Sequence, residues 1–119
     1  MAVLKIPNKV KIGGHWYSVR FPHVYREKTN AWGTFNAHTL EIFLCGDDGQ
    51  GARRKDTAIL VTFIHELLHG IDELYFNSDL FSQNEKEREC KVSVLSEAIF
   101  QVLVDNGWIV PEIDREKAE

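Results

Sequence analysis

Apolar and polar positions alternate with a period of two along the first third of the chain. Val10-Lys11-Ile12 and His15-Trp16-Tyr17-Ser18-Val19-Arg20-Phe21, rich in β-branched and aromatic residues, flank Gly13-Gly14. That pattern predicts two short strands joined as a hairpin by a tight turn. Pro22 is expected to stop the second strand, because proline has no amide hydrogen for a sheet ladder, and Tyr25 to Asn30 reads as a connection of unassigned conformation. A second β segment begins near Trp32-Gly33-Thr34-Phe35, turns around Asn36-Ala37 and continues from Thr39 to Leu44. It completes a sheet of three or four strands. Residues Cys45 to Gly51 hold three glycines and two aspartates and read as a loop.

From about Asp56 the period lengthens. Leu60, Phe63, Leu67, Ile71 and Leu74 recur at spacings of three and four and line one helical face. Asp56 or Thr57 is the expected cap, and the helix should fade near Phe76-Asn77-Ser78-Asp79. A second helix is expected to start around Ser82 to Glu85, with Ser82 capping and Glu85 completing a capping box. Val92, Leu95, Ile99, Val102 and Leu103 form its apolar stripe, and Asn106-Gly107 is a C-terminal stop. Trp108-Ile109-Val110-Pro111 is expected to pack back, and the charged tail after Ile113 to fray. Residues 1–119 thus read as a single α+β domain, a small antiparallel sheet followed by two long helices, with 1–9 and 112–119 as the frayed ends.

Composition narrows the classes. The 119 residues suit one domain, and 44 % hydrophobic with 27 % charged residues is ordinary globular composition. A net charge of −4 gives no global reason to bind a polyanion. Arg53-Arg54-Lys55 is the one basic triplet and reads as a solvated loop, so nucleic acid is not the expected partner. Cys45 and Cys90 stand apart and the N-terminus lacks a signal-peptide core, which suits a reducing cytoplasm. Charged residues interrupt every apolar run short of the roughly 18 to 20 residues that span a bilayer, so no membrane partner is expected.

The chemistry lies in His65-Glu66-Leu67-Leu68-His69. At about 100° per residue, His69 falls roughly 40° from His65 and one turn further on, so both imidazoles reach one ion. Glu66 sits beside them, where a general base contacts a water rather than the metal. The apolar stripe lies on the far side of the helix, which places the histidines toward a cleft or solvent. Asp72 returns to the ligand face, where its carboxylate is expected to accept the free N–H of a ligand histidine. Imidazole and carboxylate ligands of this type suit Zn²⁺. A catalytic zinc takes a third protein ligand, and Glu89 or, alternatively, Glu97 on the second helix is the candidate. His38 is a rival ligand or substrate-polarising group, Tyr75 a donor to an oxyanion, and His15 and His23 carry less signal.

The segment Thr62 to Asp72, followed by Leu95 to Leu103, resembles small H-E-x-x-H proteins encoded by phages and prophages. More broadly it is similar to the minimal zincin domains of the ImmA/IrrE and SprT-like groups. The resemblance implies a short sheet before the metal-binding helix, a second helix after it, and a zinc metallopeptidase working in a bacterial host's cytoplasm. In the ImmA/IrrE type the third ligand is a glutamate followed by a small residue, and Glu87-Arg88-Glu89-Cys90 is similar to that, which favours Glu89. The chain lacks the N-E-x-x-S-D segment of thermolysin-like enzymes and the further downstream histidine of metzincins and SprT-like proteins.

Two function classes follow. In the first, zinc on His65, His69 and Glu89 acidifies a water, Glu66 takes its proton, and a protein or peptide substrate lies extended along strand 40–44. In the second, the site serves folding or partner binding in a non-catalytic zinc-binding interaction module. A nucleic-acid-associated protease using Arg53-Arg54-Lys55 is a third reading.

Overall fold

The computed structural model describes residues 2–4, 6–23 and 32–113. Its elements in order are strands β1 (Ala2–Leu4), β2 (Lys9–Ile12), β3 (His15–His23), β4 (Gly33–Asn36) and β5 (Glu41–Cys45), helices α1 (Asp56–Phe76) and α2 (Glu85–Asp105), and strand β6 (Ile109–Ile113). The α+β class, with a small sheet leading into an H-E-x-x-H helix and a second long helix, is as the periodicity predicts.

The sheet is built from two antiparallel hairpins. Gly13 and Gly14 both have positive φ, 62° and 86°, and close a two-residue turn that pairs Ile12 with His15. The second hairpin pairs β4 with β5. The hairpins join through β3 and β5, which run parallel, giving the order β2-β3-β5-β4. Strand β3 does not stop at Pro22. It runs to His23, with an irregularity in the pairing between Arg20 and His23 that takes the proline out of the ladder. The connection expected at Tyr25 to Asn30 lies outside the described residues.

Alternation along β2, β3 and β5 turns Ile12, Tyr17, Val19, Ile42 and Leu44 onto one face, where they meet Ile59, Leu60 and Phe63 of α1. Leu67 and Leu74 pack against this core, while Ile71 stays more than one-third exposed at 38 %. At that level Gly70 replaces it: a Cβ there would stand 2.7 Å from the Phe35 ring. Gly33 repeats the approach, since its Cβ would lie 2.7 Å from Thr62 Cγ2 and 3.2 Å from Glu66 Cγ. Two missing side chains therefore let the edge strand β4 lie directly along α1.

Helix α2 packs on α1 and β6, not on the four-stranded sheet. Its inward face differs from the expected stripe. Val92 and Ser96 are buried, Ile99, Phe100 and Leu103 half-buried, while Leu95 and Val102 are exposed. Ser96 can occupy the interface because its hydroxyl donates to the Val92 carbonyl at 2.7 Å, leaving no unpaired polar group. Glu89 precedes Ser96 by two turns and so shares the side of α2 that faces α1.

The caps also differ from expectation. Lys55 precedes α1 with no side-chain cap, and Asp56 instead accepts from the Ile113 amide at 3.0 Å, tying β6 to the start of α1. Asn84, not Ser82, caps α2 by accepting from Glu87 N–H at 2.9 Å; Ser82 Oγ accepts from Asn84 N–H one step earlier. The predicted stops hold: Asn77 is left-handed at φ 53°, and Gly107 at φ 74° closes α2, its amide donating to the Val104 carbonyl and the Trp108 amide to the Leu103 carbonyl. Within the end segments, Ala2–Leu4 pair in parallel with β6 and Ile113 is buried. Ile109 and Val110 pack back as expected, but Trp108 is exposed.

Candidate metal centre

Helix α1 presents His65 and His69 one turn apart, and α2 brings Glu89 to meet them. The two Nε2 atoms stand 3.1 Å apart. Glu89 Oε1 lies 2.6 Å from His65 Nε2 and Oε2 lies 2.8 Å from His69 Nε2. All three donor groups thus converge within 4.8 Å of one another. Two nitrogens bound tetrahedrally to zinc at about 2.0–2.1 Å are separated by roughly 3.3 Å. The imidazole pair is already near that spacing, and a slight outward movement of the carboxylate admits the ion. The donor set of two imidazoles and one carboxylate therefore fits a divalent metal of the zinc type.

The electrostatics point the same way. Burial pulls the His65 pKa below its usual value and His69 adds to the effect, while the Glu89 carboxylate opposes both. Burial thus favours the neutral imidazole, which is the form that binds a metal. Glu66 is 6 % exposed, and burial, followed by the negative charge of Glu89, pushes its carboxyl up to about 8. A basic carboxylate beside a metal position, but outside the donor set, has the placement of a proton acceptor.

Glu66 opens onto clefts on both sides. An open cleft of about 930 Å³ runs between β4 and the start of α2, past Thr34, Phe35, Glu66, His69, Glu73 and Arg88. A smaller pocket of about 320 Å³ lies on the other side, bounded by Trp32, Val61, Thr62, Ser93 and Glu97 together with the metal site. The edge strand β4 forms one wall of the larger cleft.

The other candidates fall elsewhere. Asp72 is 1 % exposed and does not reach either histidine: Oδ1 accepts from Leu80 N–H at 2.9 Å, and Oδ2 lies 3.9 Å from Arg88 Nε. Its burial comes from the turn after α1, which folds back over it and also donates Asn77 and Ser78 amides to its carbonyl. Glu97 is not in the donor cluster, because it follows Glu89 by more than two turns, and it lines the smaller pocket instead. His38 sits in the exposed β4–β5 turn, its amide donating to Asn36 Oδ1, and Tyr75 is 64 % exposed; neither lines a cleft. His15 is exposed, and His23 packs on Phe43 with ring centroids 4.8 Å apart.

Strand 40–44 cannot take a substrate by strand addition. It is β5, hydrogen-bonded to β3 on one side and β4 on the other, so its backbone groups are already paired. Of the sheet's two edge strands among the described residues, β2 and β4, it is β4 that lies beside the metal site, a closeness signalled only by glycines at 33 and 70. The basic triplet divides as well: Arg53 and Lys55 are exposed, but Arg54 is half-buried and donates to the Cys45 carbonyl at 3.0 Å and Thr62 Oγ1 at 2.8 Å. Cys45 is buried and Cys90 exposed, with no disulfide between them. Among the described residues no helix is long and apolar enough to cross a membrane.

No family model, curated protein or solved structure matches the chain. Its chemistry is therefore read from the site alone: a small α+β domain of zincin-like arrangement with a His65, His69, Glu89 cluster able to hold a metal ion.

Proposed function

We propose that the protein is a zinc-dependent peptidase. The observation that carries this reading is the convergence of three metal donors beside a buried carboxyl that is not one of them, at the floor of an open cleft. Zinc bound there would acidify a water and polarise a peptide carbonyl. Glu66 receives the proton at its carboxylate and returns it to the departing amine, so no net proton is consumed at the residue. The donor set leaves room for water and substrate, which suits a catalytic site more than a closed structural one.

Strand β4 supplies the binding surface. An extended peptide laid along its outer edge pairs with backbone from Gly33 to Asn36 and crosses the cleft beside Glu66. The close packing of Gly33 against Thr62 and Glu66 sets the depth of that path. A phage or prophage protein acting in a bacterial cytoplasm is the setting consistent with the resemblance carried by residues 62–72.

The deciding experiment combines metal analysis with cleavage of an unfolded protein such as reduced casein. Wild type is expected to hold one zinc per chain and to cleave. Glu66→Gln should keep the metal and lose at least about a hundredfold in kcat, Glu89→Gln should lose metal, and Glu97→Gln should retain it. One bound zinc with no cleavage by wild type would reject the enzyme and leave a metal-dependent interaction module.

A further inference from the structure

Glu97 is left over by the metal site, yet it faces the same region. It forms no ion pair or hydrogen bond among the described residues, and it lines the 320 Å³ pocket. His65, Glu66 and Glu89 of the metal site line the same pocket. Trp32, Gly33 and Ser93, with Val61 and Thr62 from the turn of α1 before His65, complete the lining. The volume is at the lower end of what small ligands occupy, room for one side chain rather than a folded segment.

We infer that this pocket selects a lysine or arginine side chain next to the bond held at the metal site. Eight residues of helix separate Glu97 from Glu89, about 12 Å of rise, so only a long side chain spans from one to the other. An aliphatic stem lies well against Trp32 and Val61, and a cationic tip meets Glu97 with the indole face nearby. An acidic side chain would place like charges together.

Arg54 stands against Trp32 on this wall. Its guanidinium stands 4.7 Å from the centre of the Trp32 ring, but it is committed to the Cys45 carbonyl and the Thr62 hydroxyl and forms no part of the pocket lining. It fixes the position of Trp32 rather than occupying the space.

The inference rests on the peptidase reading for where a peptide lies, so its test uses binding and not turnover. Acetylated, amidated alanine heptapeptides carrying a single lysine, or its neutral counterpart norleucine, at each position in turn are titrated into zinc-loaded Glu66→Gln protein. At one position lysine is expected to bind about fivefold to tenfold tighter than norleucine. Adding Glu97→Gln, with zinc content verified unchanged, should abolish the difference, and adding Glu97→Lys should turn the preference toward a glutamate peptide. Equal binding of lysine and norleucine at every position, no binding of either, or a lysine preference that survives Glu97→Gln overturns the inference. Cleavage by the wild-type protein is scored separately: a lysine preference without cleavage removes the peptidase reading while leaving the pocket's selectivity intact.

Discussion

Glu66 carries a signature that a surface glutamate would not. Its folded-state value near 8 lies above the ordinary 4.5, so in the metal-free protein the folded state keeps a proton that the unfolded chain releases. The stability this provides is complete below about pH 4.5 and is lost as pH rises toward 8. His65, whose value is lowered by burial, acts in the opposite sense and reduces stability only as pH falls below its usual 6.5. Between pH 6.5 and 8 the Glu66 effect therefore stands alone and amounts to about 2 kcal/mol. Urea unfolding of chelator-treated protein should show that loss, and Glu66→Gln should flatten it. Wild-type stability that is level or rises across this range would contradict a buried, neutral Glu66. The placement of His65, Glu66 and His69 was legible because helical spacing alone sets which way i, i+1 and i+4 point, whereas Glu89, on the other helix, stayed an alternative with Glu97 until the helices were seen to pack. Asp72 was not, since spacing puts it near His69 but cannot show the later turn closing over it.

Among the elements, Asp72 joins α1 to α2. Its carboxylate holds the Leu80 amide and lies opposite Arg88, whose guanidinium donates to the Ser82 carbonyl at 3.0 Å and the Gln83 carbonyl at 3.3 Å. The turn between the helices is thus shaped by one buried anion, and Glu89 follows Arg88 directly in the first turns of α2. Asp72→Ala strips the Leu80 amide of its partner and leaves Arg88 without its buried counter-charge, a loss of about 2 to 4 kcal/mol in urea unfolding. Zinc affinity should fall with it, and Asp72→Asn, which keeps an acceptor for Leu80, should recover part of both. Unchanged zinc affinity in Asp72→Ala would mean that Glu89 is placed by the Val92 and Ser96 contacts alone. The same elements show where periodicity misleads. The stripe through Leu95 and Val102 was the more hydrophobic face of α2, but the buried face runs through Ser96, a residue that hydrophobic patterning scores as polar. The caps shifted for a related reason: Asn84 and Ser82 offer similar side-chain acceptors two residues apart, and Asp56 was drawn away by the amide of a strand 57 positions distant.

For the whole molecule, the metal site lies outside the principal core. The four-stranded sheet closes on Ile59, Leu60 and Phe63 without help from any metal donor. Helix α2, in contrast, buries completely only Val92 and Ser96 and packs on α1 and β6 alone. A metal held by His65 and His69 on one helix and Glu89 on the other is then a cross-link between the two helices, across an interface in which α2 fully buries only Val92 and Ser96. The parallel pairing of β3 with β5 and of β1 with β6 belongs to the same level, and neither could be read from local pattern, since each joins segments whose order in space is set by packing. Chelation should therefore leave the far-ultraviolet helical signal largely intact, unlike a zinc finger, which unfolds without its ion. Zinc present at about a thousandfold over its dissociation constant should add about 4 kcal/mol. In hydrogen exchange the added protection should concentrate in α2, with the amides of β3, β5 and the first half of α1 little changed. Uniform protection across the sheet on zinc addition would show that the metal organises the core itself, and collapse of the helical signal on chelation would show that the sheet and α1 do not fold without it.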